Sequence, residues 1–209
     1  MNHAVLLGDS IFDNAAYVPG KPSVIEQLGQ SLPGGWKVTL LAVDGDVTAD
    51  VQNQIRRLPD DATHLIVSCG GNDALRHSSI LNQSAGSVKE VLDYFTSIRT
   101  SFQQTYSKMI GTLTGLNRHL AVCTVYDCVP GYEGSPMTAL AMFNEIILRE
   151  AFIAKVPVID LRLICGERSD YSEISPIEPS AAGGEKIVQA IVRLLANYKF
   201  ERKQSIIYT

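Results

Sequence analysis

Val5-Leu6-Leu7-Gly8-Asp9-Ser10-Ile11-Phe12-Asp13 decides how the rest of the chain is read. Three consecutive apolar residues end at a glycine, and a polar, acidic turn follows. An unbroken apolar run suits a strand buried on both faces, as in a parallel sheet. The same unit recurs along the chain. Trp36 to Val43, Thr63 to Cys69, Leu120 to Val125 and Val156 to Leu161 read as further strands. Between them apolar residues keep helical spacing: Val24, Ile25, Leu28 and Leu32; then Val47, Val51, Ile55 and Leu58. A longer stripe runs through Val88, Leu92, Phe95, Ile98, Phe102, Tyr106, Met109 and Leu113, and another through Leu140, Phe143, Ile147 and Ala151. Ser180 is placed to cap a last helix that turns Ile187, Ile191 and Leu194 inward. Five strand and helix alternations predict an α/β protein whose parallel sheet is covered on both faces.

Length and composition agree. The 209 residues suit one domain, 45% are apolar and 19% charged, so a core is within reach. Residues 1–198 are expected to form that domain and 199–209 a loose C-terminal tail, where the pattern fades despite Ile206-Ile207-Tyr208. A net charge of −4 leaves no basic footprint, which argues against nucleic acid as a partner. No apolar run reaches the ~18 residues of a membrane span, and the N-terminus has no signal-peptide pattern, so a cytoplasmic location is expected. Cys69, Cys123, Cys128 and Cys165 form no metal-ligand spacing, and no cofactor or metal signature is present. Reduced thiols are expected, with a Cys128–Cys165 bridge as the alternative.

Parallel sheets bind ligands beyond the carboxyl ends of their strands. Three turns are expected there: Gly8-Asp9-Ser10, Asp44-Gly45-Asp46 and Gly70-Gly71-Asn72-Asp73. A serine after a strand can be a nucleophile or simply a helix N-cap. A glycine at 45 permits close backbone approach, or merely a tight turn. Asn72 can donate to an oxyanion, or only shape its loop.

Taken together, Gly8-Asp9-Ser10, Gly45 and Gly70-Gly71-Asn72-Asp73, in that order, resemble three blocks of the SGNH (GDSL-type) hydrolases. Ile177 to Ile187 resembles the fourth block. The resemblance spans nearly the whole chain. It implies a three-layer α/β/α sandwich with a five-stranded, flavodoxin-like sheet, and acyl transfer from a small-molecule ester. Ser10 would be the nucleophile, with the backbone N–H groups of Ser10 and Gly45 and the Asn72 side chain holding the oxyanion. Asp9 and Asp73 are read chiefly as turn acceptors, though both sit at the site.

One element departs from the family. Its last block carries Asp-x-x-His before a proline; aligned on Pro179, this chain has Ser175 and Glu178 in those places. A serine needs a neighbouring base to attack well. His3, His64 and His119 start the first, third and fourth strands, so a strand of ~17 Å separates them from the rim. His77 starts from the right rim but reads rather as a solvated loop residue beside Arg76 and Ser78. Glu178 is the candidate base, since burial raises a carboxyl pKa toward a useful value. Its competing role is a helix-capping residue paired with Arg162 or Arg168. Asp170 and Glu173 are candidates to orient a base. The Asp127 to Pro136 loop, with Tyr126, Tyr132 and Pro130, is expected to shape the pocket.

Three functions compete. The first is an ester hydrolase using Ser10, on a carboxylic ester, an acetylated sugar or a thioester. The second is a binding module for an acyl or sugar ligand on a fold that has lost its base. The third is a metal-dependent phosphoesterase built on Asp9, Asp13, Asp44, Asp46 and Asp73. The oligomeric state is not readable.

Overall fold

A computed structural model describes residues 2–209. Strand β1 (Asn2–Gly8) is followed by α1 (Val24–Ser31), β2 (Trp36–Leu40), α2 (Val51–Ile55), β3 (His64–Ser68), α3 (Gly71–Arg76), α4 (Val88–Gly115), β4 (His119–Cys123), α5 (Ser135–Ala154), β5 (Val158–Ile159), α6 (Leu161–Ile164), α7 (Ala181–Asn197) and β6 (Ile207–Tyr208). The order in the sheet is β2-β1-β3-β4-β5-β6, and every neighbouring pair is parallel.

Alternation along the strands divides the core. Ala4, Leu6, Ile66, Ala121 and Cys123 face the layer of α1 and α7. Val5, Leu7, Leu65, Val67, Leu120 and Val122 face α4 and α5. A strand with both faces covered must be apolar at every position, which is why β1, β3 and β4 read as continuous runs. Strand β2 departs because it is an edge: Lys37 is exposed and its other residues are half-buried.

The sheet has six strands rather than the expected five. Ile207–Tyr208 pairs with Val158–Ile159, so the tail is tied to the sheet edge instead of hanging loose. Strand β5 has only two residues, shorter than Val156 to Leu161 suggested, because Asp160 turns the chain into α6.

Helix α4 differs most from its reading. At 28 residues it is about 42 Å long, against ~17 Å for the five-residue strands. Its C-terminal half packs as expected, with Phe102, Tyr106, Met109 and Leu113 buried. Its N-terminal half overhangs the sheet, leaving Val88 77% and Leu92 59% exposed. No helix among the described residues is long and apolar enough to cross a membrane. All four cysteines are free; Cys128 is exposed and Cys165 buried.

Candidate active site

Parallel order reverses between β1 and β3, and the turns leaving those two strands carry Ser10 and Asn72. Such a switch point is where a cleft opens in a parallel sheet. Gly8 makes the first turn possible. Its φ is +120°, and a Cβ there would fall 1.7 Å from the Ser68 carbonyl oxygen. The Asp9 N–H donates to that same oxygen (3.0 Å). The Asp9 carboxylate accepts from the Ile11 N–H (3.2 Å), and the Asp9 carbonyl from Phe12 and Asp13. Ser10 stands on this turn and lines the cleft.

Ser10 caps no helix. Helix α1 begins only at Val24, after Ser23, whose backbone N–H and hydroxyl both donate to Glu26. The N-cap reading of Ser10 therefore falls, and what surrounds it is turn backbone.

The second turn is bound to both neighbours. Val43 N–H donates to the Gly8 carbonyl (3.1 Å), and the Asn72 amide donates to the Asp46 carbonyl (3.0 Å). Buried Gln54 closes the assembly: it exchanges hydrogen bonds with Gly8 N–H and C=O (2.8 and 2.7 Å) and donates to the Asp46 carboxylate (2.8 Å). Gly45, at φ +82°, forms the exposed bend between them. Ser10 and Asn72 line the cleft together, whereas Gly45 is not among its lining residues.

Glu178 lines the same cleft. Four contacts hold its segment. The Tyr126 hydroxyl donates to the Ile177 carbonyl (2.6 Å), and the Asn14 amide to the Pro179 carbonyl (3.2 Å). Ser172 N–H donates to the Glu178 carbonyl (2.8 Å), and Glu178 N–H to Ser175 (3.1 Å). The side chain is 4% exposed, and its Oε2 has no hydrogen-bond partner among the described residues. Burial pushes the carboxyl up to about 7; the adjacent Ser10 hydroxyl opposes the rise, and the Asp44 charge adds to it. The Ser10 contact is one of proximity and does not meet full hydrogen-bond geometry. Neither Arg162 nor Arg168 pairs with Glu178: Arg162 binds Asp160 (2.6 Å). The cap of α7 is Ser180, whose hydroxyl accepts from Gly183 N–H (3.1 Å).

Asp170 and Glu173 do not orient this carboxylate. Asp170 pairs with Lys186 (2.8 Å) beside the start of α7, and Glu173 is exposed. Asp73 is a turn acceptor as expected: one oxygen takes both the N–H and the hydroxyl of Thr48 (2.9 Å each). Burial raises Asp9 well above the usual carboxylate range, and Glu178 and Asp73 push it the same way; burial likewise raises Asp73. His77 lines the cleft but is exposed, and its ring makes no hydrogen bond among the described residues. His3, His64 and His119 sit at the opposite ends of the strands. Among the described residues no three His, Cys, Asp or Glu side chains are grouped to hold a metal ion.

Asn14, Gln54, Tyr126 and Ser172 were the hidden parts of this assembly. Only Tyr126 was marked by sequence, as loop surface. Gln54 and Asn14 act across separations of 46 and 165 residues, which no local pattern reveals, and Ser172 binds Glu178 within its own loop.

A model of the GDSL-like lipase/acylhydrolase family matches residues 6–186. Solved structures similar to this chain include a lipase from a goat rumen metagenome, with a TM-score of 0.71 and 17% identity over 95% of this chain and 98% of that one. A lipolytic G-D-S-L family protein from Veillonella parvula gives 0.70 and 16%, over 95% and 100%. A lipase/acylhydrolase from Enterococcus faecalis gives 0.65 and 19%, over 95% and 98%. A search of curated proteins finds no match.

Proposed function

The chain belongs to the GDSL-like lipase/acylhydrolase family, and from that premise we propose that it cleaves esters through Ser10, with Glu178 accepting the proton. The environment of Glu178 carries this reading. It is a buried carboxyl raised to about 7, beside a serine hydroxyl, with one oxygen unpartnered. At neutral pH about half of it is ionised, which suits a general base. A residue that served only to cap or to pair with an arginine would have spent that oxygen on its partner.

In the proposed reaction Ser10 Oγ bonds to the acyl carbon as its proton passes to Glu178. The ester C–O bond then breaks, and the proton goes on to the departing alkoxide. Water attacks the acyl-serine, gives its proton to Glu178, and the acid leaves as Ser10 is restored. Charge that develops on the carbonyl oxygen is assigned to the N–H groups of Ser10 and Gly45 and to Asn72. The bond from Asn72 to Asp46 uses one amide hydrogen and fixes the side chain, leaving the other for the oxyanion. A carboxylic ester, an acetylated sugar or a thioester all satisfy this chemistry.

The test is a fluorophosphonate probe together with Ser10→Ala. The parent is expected to be labelled and to hydrolyse an activated ester; the variant is expected to do neither. A parent inert to both would favour the binding-module reading, in which the cleft holds its ligand without cleaving it.

A further inference from the structure

The cleft that ends at Ser10 is chemically lopsided. Its long wall is apolar, built by Leu75, Ile80, Leu81, Phe95, Ile98 and Phe143. Its polar lining groups include Asp9, Ser10, Asn72, His77, Ser78 and Glu178. The cavity measures about 140 Å³, and no lysine or arginine lines it among the described residues.

The overhang of α4 makes this wall. Phe95 and Ile98 lie in the N-terminal half of the helix and line the cleft, Ile98 also packing against the core. One turn further out, Val91 and Leu92 continue the stripe into solvent. Apolar surface therefore runs without a break in spacing from the cleft to the outside. An acetyl group would leave that surface unfilled. Each methylene of a longer chain buried there is worth about fourfold in binding.

The opposite side of Ser10 is acidic. Asp44 is fixed by the Tyr17 hydroxyl (2.7 Å), its backbone N–H is bound by Asp13 (3.0 Å), and its charge is felt at Glu178. Arg162 is bound to Asp160, and Arg76 acts on Asp73 without pairing to it. A leaving group bearing phosphates would meet carboxylates here, with no lysine or arginine in the cleft lining among the described residues.

We propose that the site takes esters of an unbranched apolar acyl chain, laid along Phe95 and Ile98, joined to an uncharged or cationic alcohol. Acetylated sugars and coenzyme A thioesters are then poor substrates. The proposal rests on Ser10 as the attacking group, and its test separates the two.

The first measurement is hydrolysis of p-nitrophenyl esters from acetyl to decanoyl, below their micelle concentrations. kcat/KM is expected to rise about tenfold or more from acetyl to octanoyl. Phe95→Glu is expected to cut the octanoyl-to-acetyl ratio about tenfold or more. At the alcohol end, octanoylcholine and its uncharged neohexyl counterpart are expected to outrun octanoyl-CoA about tenfold or more. An acetyl ester cleaved as well as octanoyl, or octanoyl-CoA cleaved as well as the neohexyl ester, overturns the proposal. The second measurement needs no catalysis: calorimetric binding of monodecanoylglycerol and monoacetylglycerol to Ser10→Ala. Tighter binding of the long chain, by about tenfold or more, supports the cleft assignment even if the parent proves inert and unlabelled, in which case Ser10 as nucleophile is what fails. Equal binding overturns the cleft assignment whatever the parent does.

Discussion

Glu178 at the carboxyl rim and His64 at the amino edge are shifted by the same force in opposite directions. Burial lifts Glu178 to about 7 and, with the nearby His119, lowers His64 to about 4. In each case loss of water disfavours the charged form. What differs is the company. Glu178 lines the cleft with Ser10 and keeps a buried, unpartnered oxygen. His64 is packed among Trp36, His119 and Phe200, with ring centroids 4.7 to 5.3 Å away, and one nitrogen is bound to Thr63 (2.8 Å). A perturbed pKa alone does not mark a reactive group; a perturbed pKa with a free atom and access does. Three of the four histidines stand at the closed edge, and at the open rim Glu178 is beside Ser10 while His77 is exposed.

The sharpest way to break this contrast is to compare activity losses. Glu178→Gln is expected to lower kcat/KM on an activated ester by about 10²–10⁴-fold. His64→Gln and His77→Asn are expected to stay within about twofold of the parent. A base must be ionised to accept a proton, so the parent's rate is expected to climb with pH through about 7. That limb falls where a histidine's would, so its position does not identify the group, and loss of the limb in Glu178→Gln is what does. If His77→Asn removes it instead, the contrast drawn here assigns the wrong residue.

Asn14 tests whether the rim is built or incidental. Fully buried, it holds Val24 N–H (2.9 Å) and the Pro179 carbonyl (3.2 Å), and so links the Ser10 loop to the residue after Glu178. Asn14→Ala leaves both groups without that partner. Stability is expected to fall by about 2 kcal/mol and kcat about tenfold, since a displaced base loses its alignment. Denaturant melts and kinetics on the same sample check both. Activity at the parent level in a destabilised variant would mean that Asn14 supports the fold alone.

The central sheet was legible because burial on two faces demands apolar runs, and β1, β3 and β4 have them. That Ser10, Asn72 and Glu178 line one cleft was legible because each follows such a strand or falls in a block resembling the family's. The sixth strand was not, since a two-residue pairing leaves no period to read. The overhang of α4 was not either: Val88 and Leu92 keep the same spacing as Tyr106 and Met109, and only the reach of the sheet decides which half is covered. The clamps from Tyr126 and Asn14 escaped because they join residues remote in sequence.

The smallest effect is in stability against pH, and it places both groups on one scale. For Glu178 the folded value, about 7, lies above the unfolded value of about 4.5. The folded state therefore binds the extra proton between those values, and the stability it contributes, full below pH 4.5, is lost as pH rises through 7. For His64 the folded value, about 4, lies below the unfolded 6.5. Here the unfolded state binds the extra proton, and stability is full above 6.5 and lost as pH falls through 4. The two slopes oppose each other between about pH 4.5 and 6.5 and nearly cancel. Relative to the parent, Glu178→Gln should therefore gain about 1–2 kcal/mol between pH 5 and 8, allowing for residual solvent screening. His64→Gln should gain a similar amount between pH 6.5 and 4. Differences between variant and parent cancel the groups that do not interact with the replaced one; Asp9, which Glu178 pushes upward, responds with it. Urea melts at four or five pH values supply them. A Glu178→Gln difference that stays flat across this range would mean that the carboxyl is ordinary, with no raised pKa to serve as a base near neutrality. A flat His64→Gln difference would leave the rim reading intact and show only that the amino edge admits water.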